Sequence, residues 1–209
     1  MPMYLTPMQN SPLTRRSFGA GLTAGFALAL APLPAFAFDG ETARALIDRA
    51  VADVHGIINS GRSEAQMLAD FEGIFNRYAD VGTIARTTLG AAARQATAAQ
   101  MTAYTRAFGV YISHKYGRRF REFIGARIDV TGSRALKSFY EVRSVVTLQG
   151  SAPFEVLWYV SGATGRDLFF NLVIEGVDLL ATERVEMGAM LDRRRGDIDA
   201  FIADLNALG

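Results

Sequence analysis

The chain has 209 residues, half of them hydrophobic, with 22 basic against 21 acidic side chains and no cysteine. That balance argues against nucleic acid as a bulk electrostatic partner, and the missing thiols exclude disulfides and cysteine-ligated metals. The two histidines, His55 and His114, stand far apart with no HxxxH or HExxH spacing, so nothing points to a metal site.

At the N-terminus, Thr14-Arg15-Arg16-Ser17-Phe18 sets a twin arginine ahead of an apolar run from Phe18 to Ala31. Pro32 to Pro34 and the small-residue site Ala35-Phe36-Ala37 follow. This is the pattern of an export signal of the twin-arginine type, cleaved after Ala37, although the same segment also suits the Sec route. The run is too short, and too rich in Gly and Ala, to span a bilayer comfortably. No cysteine follows the cleavage site, which excludes a lipid-anchored form. The mature chain, Phe38 to Gly209, is expected in the periplasm and has the size of one domain.

The first half of that chain reads as helix. Leu46, Ile47, Ala50, Val51, Val54, Ile57 and Ile58 form one stripe that ends at Gly61. Ser63 with Gln66 forms a capping-box pattern ahead of Met67, Leu68, Phe71, Ile74, Phe75 and Tyr78. A short helix is expected from Asp80 to Leu89-Gly90. Thr97 with Gln100 then caps a longer one carrying Met101, Tyr104, Phe108, Tyr111 and Ile112, with a basic tail of Lys115, Arg118, Arg119 and Arg121. That tail, like Arg193-Arg194-Arg195 later, reads first as a solvated helix end and second as a docking patch.

From Ala126 the apolar period changes to two. Ile128 and Val130 predict a first strand, Gly132 to Ser138 a turn, and Tyr140, Val142, Val146 and Leu148 a second strand with one wet face. Phe154 to Val160 makes the third strand and Leu168 to Glu175 the fourth. In the fourth, Leu168, Phe170, Leu172 and Ile174 share one face, with Phe169 and Val173 on the other. Gly176 breaks this strand as a hinge into a helix carrying Leu180, Met187, Met190 and Leu191. A last helix opens at Asp197 with Ile198, Phe201, Ile202 and Leu205. Short turns between consecutive strands imply a curved antiparallel meander of four, possibly five, strands. The expected class is α+β, with helices before and after the sheet covering one face of it.

Val173-Ile174-Glu175-Gly176-Val177-Asp178-Leu179 resembles the V-x-E-G-V-S-apolar signature of the MlaC or toluene-tolerance family, periplasmic phospholipid-binding proteins of the maintenance-of-lipid-asymmetry pathway. Glu186, Gly188, Leu191, Gly196 and Leu205 fit the helices after it. Upstream, Leu89-Gly90, Arg94, Ala96-Thr97, Gln100, Phe108 and Tyr116 resemble the family's L-G…R-x-A-T-x-x-Q segment and the helix behind it. Asp178 departs from the usual Ser, Asn171 from Asp, Ala93 from an aromatic and Met187 from a large aromatic, which leaves room for a subgroup carrying another lipid such as a hopanoid.

The resemblance implies a carrier that moves phospholipid between an outer-membrane lipoprotein complex and an inner-membrane ABC transporter with an MCE-domain subunit. It implies no cofactor and no metal, only the lipid as ligand. Its tails would lie in an apolar cavity between helices and sheet, with the head group at the mouth in water. Candidates for the wall are Phe75, Tyr78, Ile84, Tyr104, Phe108, Tyr111 and Ile112 from the early helices. The strands contribute Tyr140, Val142, Val146, Val156, Trp158, Phe170, Leu172 and Ile174, and the late helix Leu180, Met187 and Leu191. Without the resemblance the same stripes read as ordinary core. A cone-shaped enzyme has the same outline but needs an acid or base aimed inward, and the inward strand positions offer Ser144 with no carboxylate or His. A binding subunit for another small hydrophobic solute is the third reading.

Overall fold

The computed structural model describes residues 39–209. The export signal expected over residues 1–37 lies outside them. Six α-helices and five strands follow in the order α1 Gly40–Ile58, α2 Glu64–Tyr78, α3 Val81–Leu89, α4 Ala98–Gly117, β1 Arg127–Leu136, β2 Phe139–Thr147, β3 Phe154–Ser161, β4 Leu168–Ile174, β5 Val177–Asp178, α5 Leu179–Arg193 and α6 Ile198–Leu208. Short 3-10 turns at Gly90–Arg94 and Arg118–Phe123 follow α3 and α4.

Each of these helices starts under a side chain suited to the task. Asp39, Ser63, Asp80, Thr97, Asp178 and Asp197 each accept a hydrogen bond from the backbone N–H three residues on. A cap of this kind is worth about 1 kcal/mol, so these residues settle where the helices begin. The boxes expected at Ser63/Gln66 and Thr97/Gln100 are both closed reciprocally.

The sheet is an antiparallel meander in the order β1-β2-β3-β4-β5. It departs from simple alternation in three places. β1 runs through Gly132 to Leu136 where a turn was expected, because a bulge at Thr131, between the pairs Val130↔Ser144 and Gly132↔Arg143, absorbs the glycine without ending the strand. In β4, Tyr159 pairs with Asn171 and Val160 with Phe169, so Phe170 is the extra residue. The third is the expected hinge, which is a tight hairpin: Glu175 and Gly176 both have positive φ, 49° and 81°, and Ile174 pairs with Val177 to start β5. The fifth strand is therefore real, and β4 is not the edge of the sheet.

The helices gather on one face of the sheet. α1 lies across β1 to β3, and its first turn sits so close that a Cβ on Gly40 would fall 2.8 Å from Ser133 Oγ. α4 is the central helix, packed by α2, α3 and α6. One contiguous core joins Ala43, Leu46 and Ile47 of α1, Tyr104 and Phe108 of α4, Met187 of α5, Phe201 and Leu205 of α6, and Val142, Val160 and Phe169 of the sheet. A small satellite of Ile58, Met67 and Phe71 lies under Phe123.

Candidate functional site

The strand register arranges the inner sheet face in rows, because directly paired residues point to the same side. The first row is Tyr140, Val160 and Phe169, the second Val142, Trp158 and Leu172, and the third Ser144, Val156 and Ile174. Val146 and Phe154, with Ile128 beside Val146, complete the far end. At the near end α1 closes over Val142 and Val160, which are fully buried. The far end is different. Val146 and Val156 are buried yet belong to neither core cluster, while Phe154 and Ile174 beside them are only half-buried.

Trp158 stands between the two regimes. Its indole Nε1 donates to Ser144 Oγ at 2.9 Å, and Ser144, fully buried, donates in turn to the Val156 carbonyl. The inward serine of β2 is thus occupied in orienting an aromatic wall. Phe169 meets Trp158 edge-on at 5.5 Å and continues to Phe75 at 6.3 Å.

On the helical side Tyr111, Tyr116 and Leu180 pack half-buried against the core that includes Ile112 and Met187, and a polar network sits between α4 and α5. Lys115 Nζ donates to Glu183 Oε1 at 2.8 Å and also to Glu186. Tyr116 and Tyr111 donate to Glu183 and Glu186, each at 2.6 Å. Burial, reinforced by these carboxylates, pushes both phenols well above the ordinary tyrosine range. Burial opposes ionisation of Glu186, but the hydrogen bonds from Lys115 and Tyr111 prevail and hold it below the usual carboxylate value. Lys115, expected as part of a solvated basic tail, is therefore tied to α5. Arg194, from the second basic cluster, forms a two-pronged pair with Asp204.

The eighteen wall candidates divide. Tyr104, Phe108, Val142 and Met187 have essentially no exposure. A side chain that no water-sized probe reaches borders no space of that size, so these four are core. Tyr104 packs between Phe108 and Phe201 at ring distances of 5.7 and 5.6 Å. Tyr78 donates to Asp53 of α1, and Ile84, Ile112 and Leu191 belong to the same core. Phe170 is a correction of face. The bulge shifts its side, and its ring lies half-buried against Phe139 and Tyr159 while Phe169 takes the inward place beside Trp158. Phe75, Tyr111, Tyr140, Trp158, Leu172 and Leu180 are half-buried against the core, with Tyr140 in the near row and Phe75 against Phe169 of that row, while Val146, Val156 and Ile174 line the far end of the sheet.

Two surface grooves, of about 830 and 620 Å³, lie along the opposite side of α4 and include none of these candidates. Among the described residues no helix is long and apolar enough to cross a membrane.

Sequence reasoning missed Glu183 and the pairing of Lys115, Tyr111 and Tyr116 with it and Glu186. The available signal was the spacing of Glu183 and Glu186, three apart on one face of α5, matched by Tyr111 and Lys115, four apart on α4.

A family model described as MlaC protein matches residues 48–207. Among solved structures, the phospholipid-binding protein from Ralstonia solanacearum, determined in complex with a phospholipid, is similar with a TM-score of 0.67 at 20% sequence identity. The match covers 79% of this chain and 97% of that one, and it establishes a common fold.

Proposed function

Because the chain belongs to the MlaC family, we propose that it is a periplasmic carrier of phospholipid whose tails lie between the far half of the sheet and the α4–α5 wall. The observation that carries this reading is the pair Val146 and Val156, apolar and buried but outside the packed core, at the end of the sheet where Ile174 and Phe154 are half-exposed. A dry apolar face of this kind suits acyl chains. Family membership and the phospholipid-bound relative favour a binding and transport role over an enzyme. The inner face agrees, since the inward serine of β2, Ser144, is committed to Trp158.

The energetics fit a shuttle. Each buried methylene is worth about 0.8 kcal/mol, so about 30 tail methylenes represent roughly 24 kcal/mol relative to water. A bilayer offers nearly the same environment, so exchange with a membrane is close to neutral while loss into water is prohibitive. The partners this reading assigns are an outer-membrane lipoprotein complex on one side and an inner-membrane ABC transporter with an MCE-domain subunit on the other.

Protein purified from the periplasm is expected to carry about one diacyl lipid, identified by native mass spectrometry and organic extraction. Repeated failure to find stoichiometric lipid on folded protein defeats the carrier reading. A polycyclic lipid in its place assigns the chain to the subgroup that the Asp178 departure suggests. Export is expected to stop when Arg15 and Arg16 are both changed to Lys, and unchanged export rules out the twin-arginine route.

A further inference from the structure

Past the end of α4 the chain carries a basic turn that the carrier reading leaves without a task. Residues 118–129 hold four arginines against two acids, Glu122 and Asp129, in a chain otherwise near charge balance. Arg118 is exposed and forms no ion pair among the described residues. Arg119 and Arg127 face Glu122 at 3.5 Å and Asp129 at 2.7 Å, but their side chains are 68% and 75% exposed. Ion pairs in water are worth little, so both guanidiniums stay open to a stronger anion.

The same turn raises an apolar side chain into water. Phe123 is held against the satellite core, Ala126 is buried, and the Ala126 N–H donates to the Phe123 carbonyl at 2.9 Å. That bond closes a four-residue turn with Gly125 in its third position at a φ of 75°, and Ile124 stands at the corner, 56% exposed. A lone exposed isoleucine needs no explanation, whereas one fixed at the corner of an anchored turn between arginines forms a cationic collar around an apolar tip.

The turn sits at the far end of the sheet. β1 begins at Arg127, Ile128 lies beside Val146, and a Cβ on Gly125 would fall 2.9 Å from the Gln149 side chain in the β2–β3 turn. Other acids of that end do not cancel the charge. Glu155 on β3 is paired with Arg143, and exposed Glu175 and the helix cap Asp178 lie on the β4–β5 side. Three strand spacings, about 14 Å, separate β1 from β4, which exceeds the screening length of ~8 Å in physiological salt.

We propose that the turn from Arg118 to Arg127 is a contact for the surface of an anionic bilayer, with Ile124 dipping below the lipid phosphates and Arg118, Arg119 and Arg127 lying among them. The layering matches, because phosphates lie immediately outside the hydrocarbon and guanidiniums bind phosphate oxygens in pairs. The carrier reading supplies only the purpose: the contact sets the end of the sheet assigned to the tails against the membrane that gives or takes the lipid. The contact itself is measured apart from lipid transfer.

The test sediments the mature chain with phosphatidylcholine vesicles that contain or lack phosphatidylglycerol. The wild type is expected to bind the anionic vesicles at least tenfold more tightly than the neutral ones, and to lose that preference as salt rises. Each basic side chain at an anionic surface is worth about fivefold, so Arg118→Gln combined with Arg119→Gln is expected to weaken binding at least tenfold. Ile124→Ser is expected to weaken it about threefold at low and high salt alike. Arg193→Gln with Arg195→Gln removes the same charge from the other end of α5, about 20 Å along that helix, and is expected to change binding less than twofold. All five positions are exposed, and thermal unfolding checks that the variants fold as the wild type does. Wild-type protein with no preference for anionic vesicles overturns the contact, whether or not an acidic protein binds the turn instead. Equal losses in the two double variants, the mark of bulk charge alone, overturn it as well. Native mass spectrometry of the same preparations keeps the two readings apart: vesicle binding by a chain that never holds lipid removes the carrier and leaves the contact, and bound lipid without vesicle binding does the reverse.

Discussion

Phe108→Ala is expected to lower stability by about 3 to 5 kcal/mol, the range for removing a fully buried ring from a close-packed site. Phe108 is unexposed and sits 5.7 Å from the ring of Tyr104, which in turn meets Phe201 of α6. The cavity left behind opens beside Tyr104 within the packed core around α4, where the backbone of a rigid helix cannot collapse into it. For a domain of this size a loss on that scale lowers Tm by roughly 6 to 20 °C. Urea unfolding monitored by far-UV circular dichroism measures it directly. If Phe108 instead borders a lipid cavity, as its place on the α4 stripe allowed, the change costs under about 1 kcal/mol and shows itself as altered lipid binding.

The contrast between Phe108 and Phe170 shows what the sequence could and could not disclose. Helix starts were legible because an N-cap is a local contract: Ser63 with Gln66, Thr97 with Gln100 and Asp197 need only the next turn of chain to form their hydrogen bonds. The meander was legible because short turns leave consecutive strands no choice but to pair. The side of Phe170 was not. It depends on one extra residue in β4, and a bulge there exchanges Phe169 and Phe170 between inside and outside without changing the composition of the strand. β5 was equally hidden, since two residues, Val177 and Asp178, are too few to show a period.

The candidate site was legible in part for a similar reason. Periodicity says which face of α4 is apolar, but not which neighbour covers each turn of it. Tyr104 meets Phe201 of α6 and Thr88 of α3, whereas Tyr111 and Tyr116, on the same helix, turn to the α5 carboxylates. The Lys115 network joins residues about 70 positions apart, with separations of 68 and 71, and pairing at that distance follows from the fold and not from local pattern.

Val142 and Val156 have the same size, lie on the same face of adjacent strands, and look alike in the sequence. The structure separates them. Val142 is closed over by α1 within the main core, while Val156, two rows of register nearer the far end than Val160, is buried outside it. Val142→Trp forces an indole into a fully buried position of the packed core, and it is expected to cost about 1 to 3 kcal/mol or more. Val156→Trp places the same ring in the space assigned to acyl tails. It is expected to melt within about 2 °C of the wild type, less than 1 kcal/mol on the scale for this chain length, while bound lipid falls at least tenfold. Thermal unfolding and lipid extraction on the two variants, made and purified side by side, give four numbers that the tail-binding model must match. A Val156→Trp protein that melts as early as Val142→Trp returns Val156 to the core and leaves the far end of the sheet without its pocket. One that keeps both its melting temperature and its full lipid complement moves the tails to another face altogether.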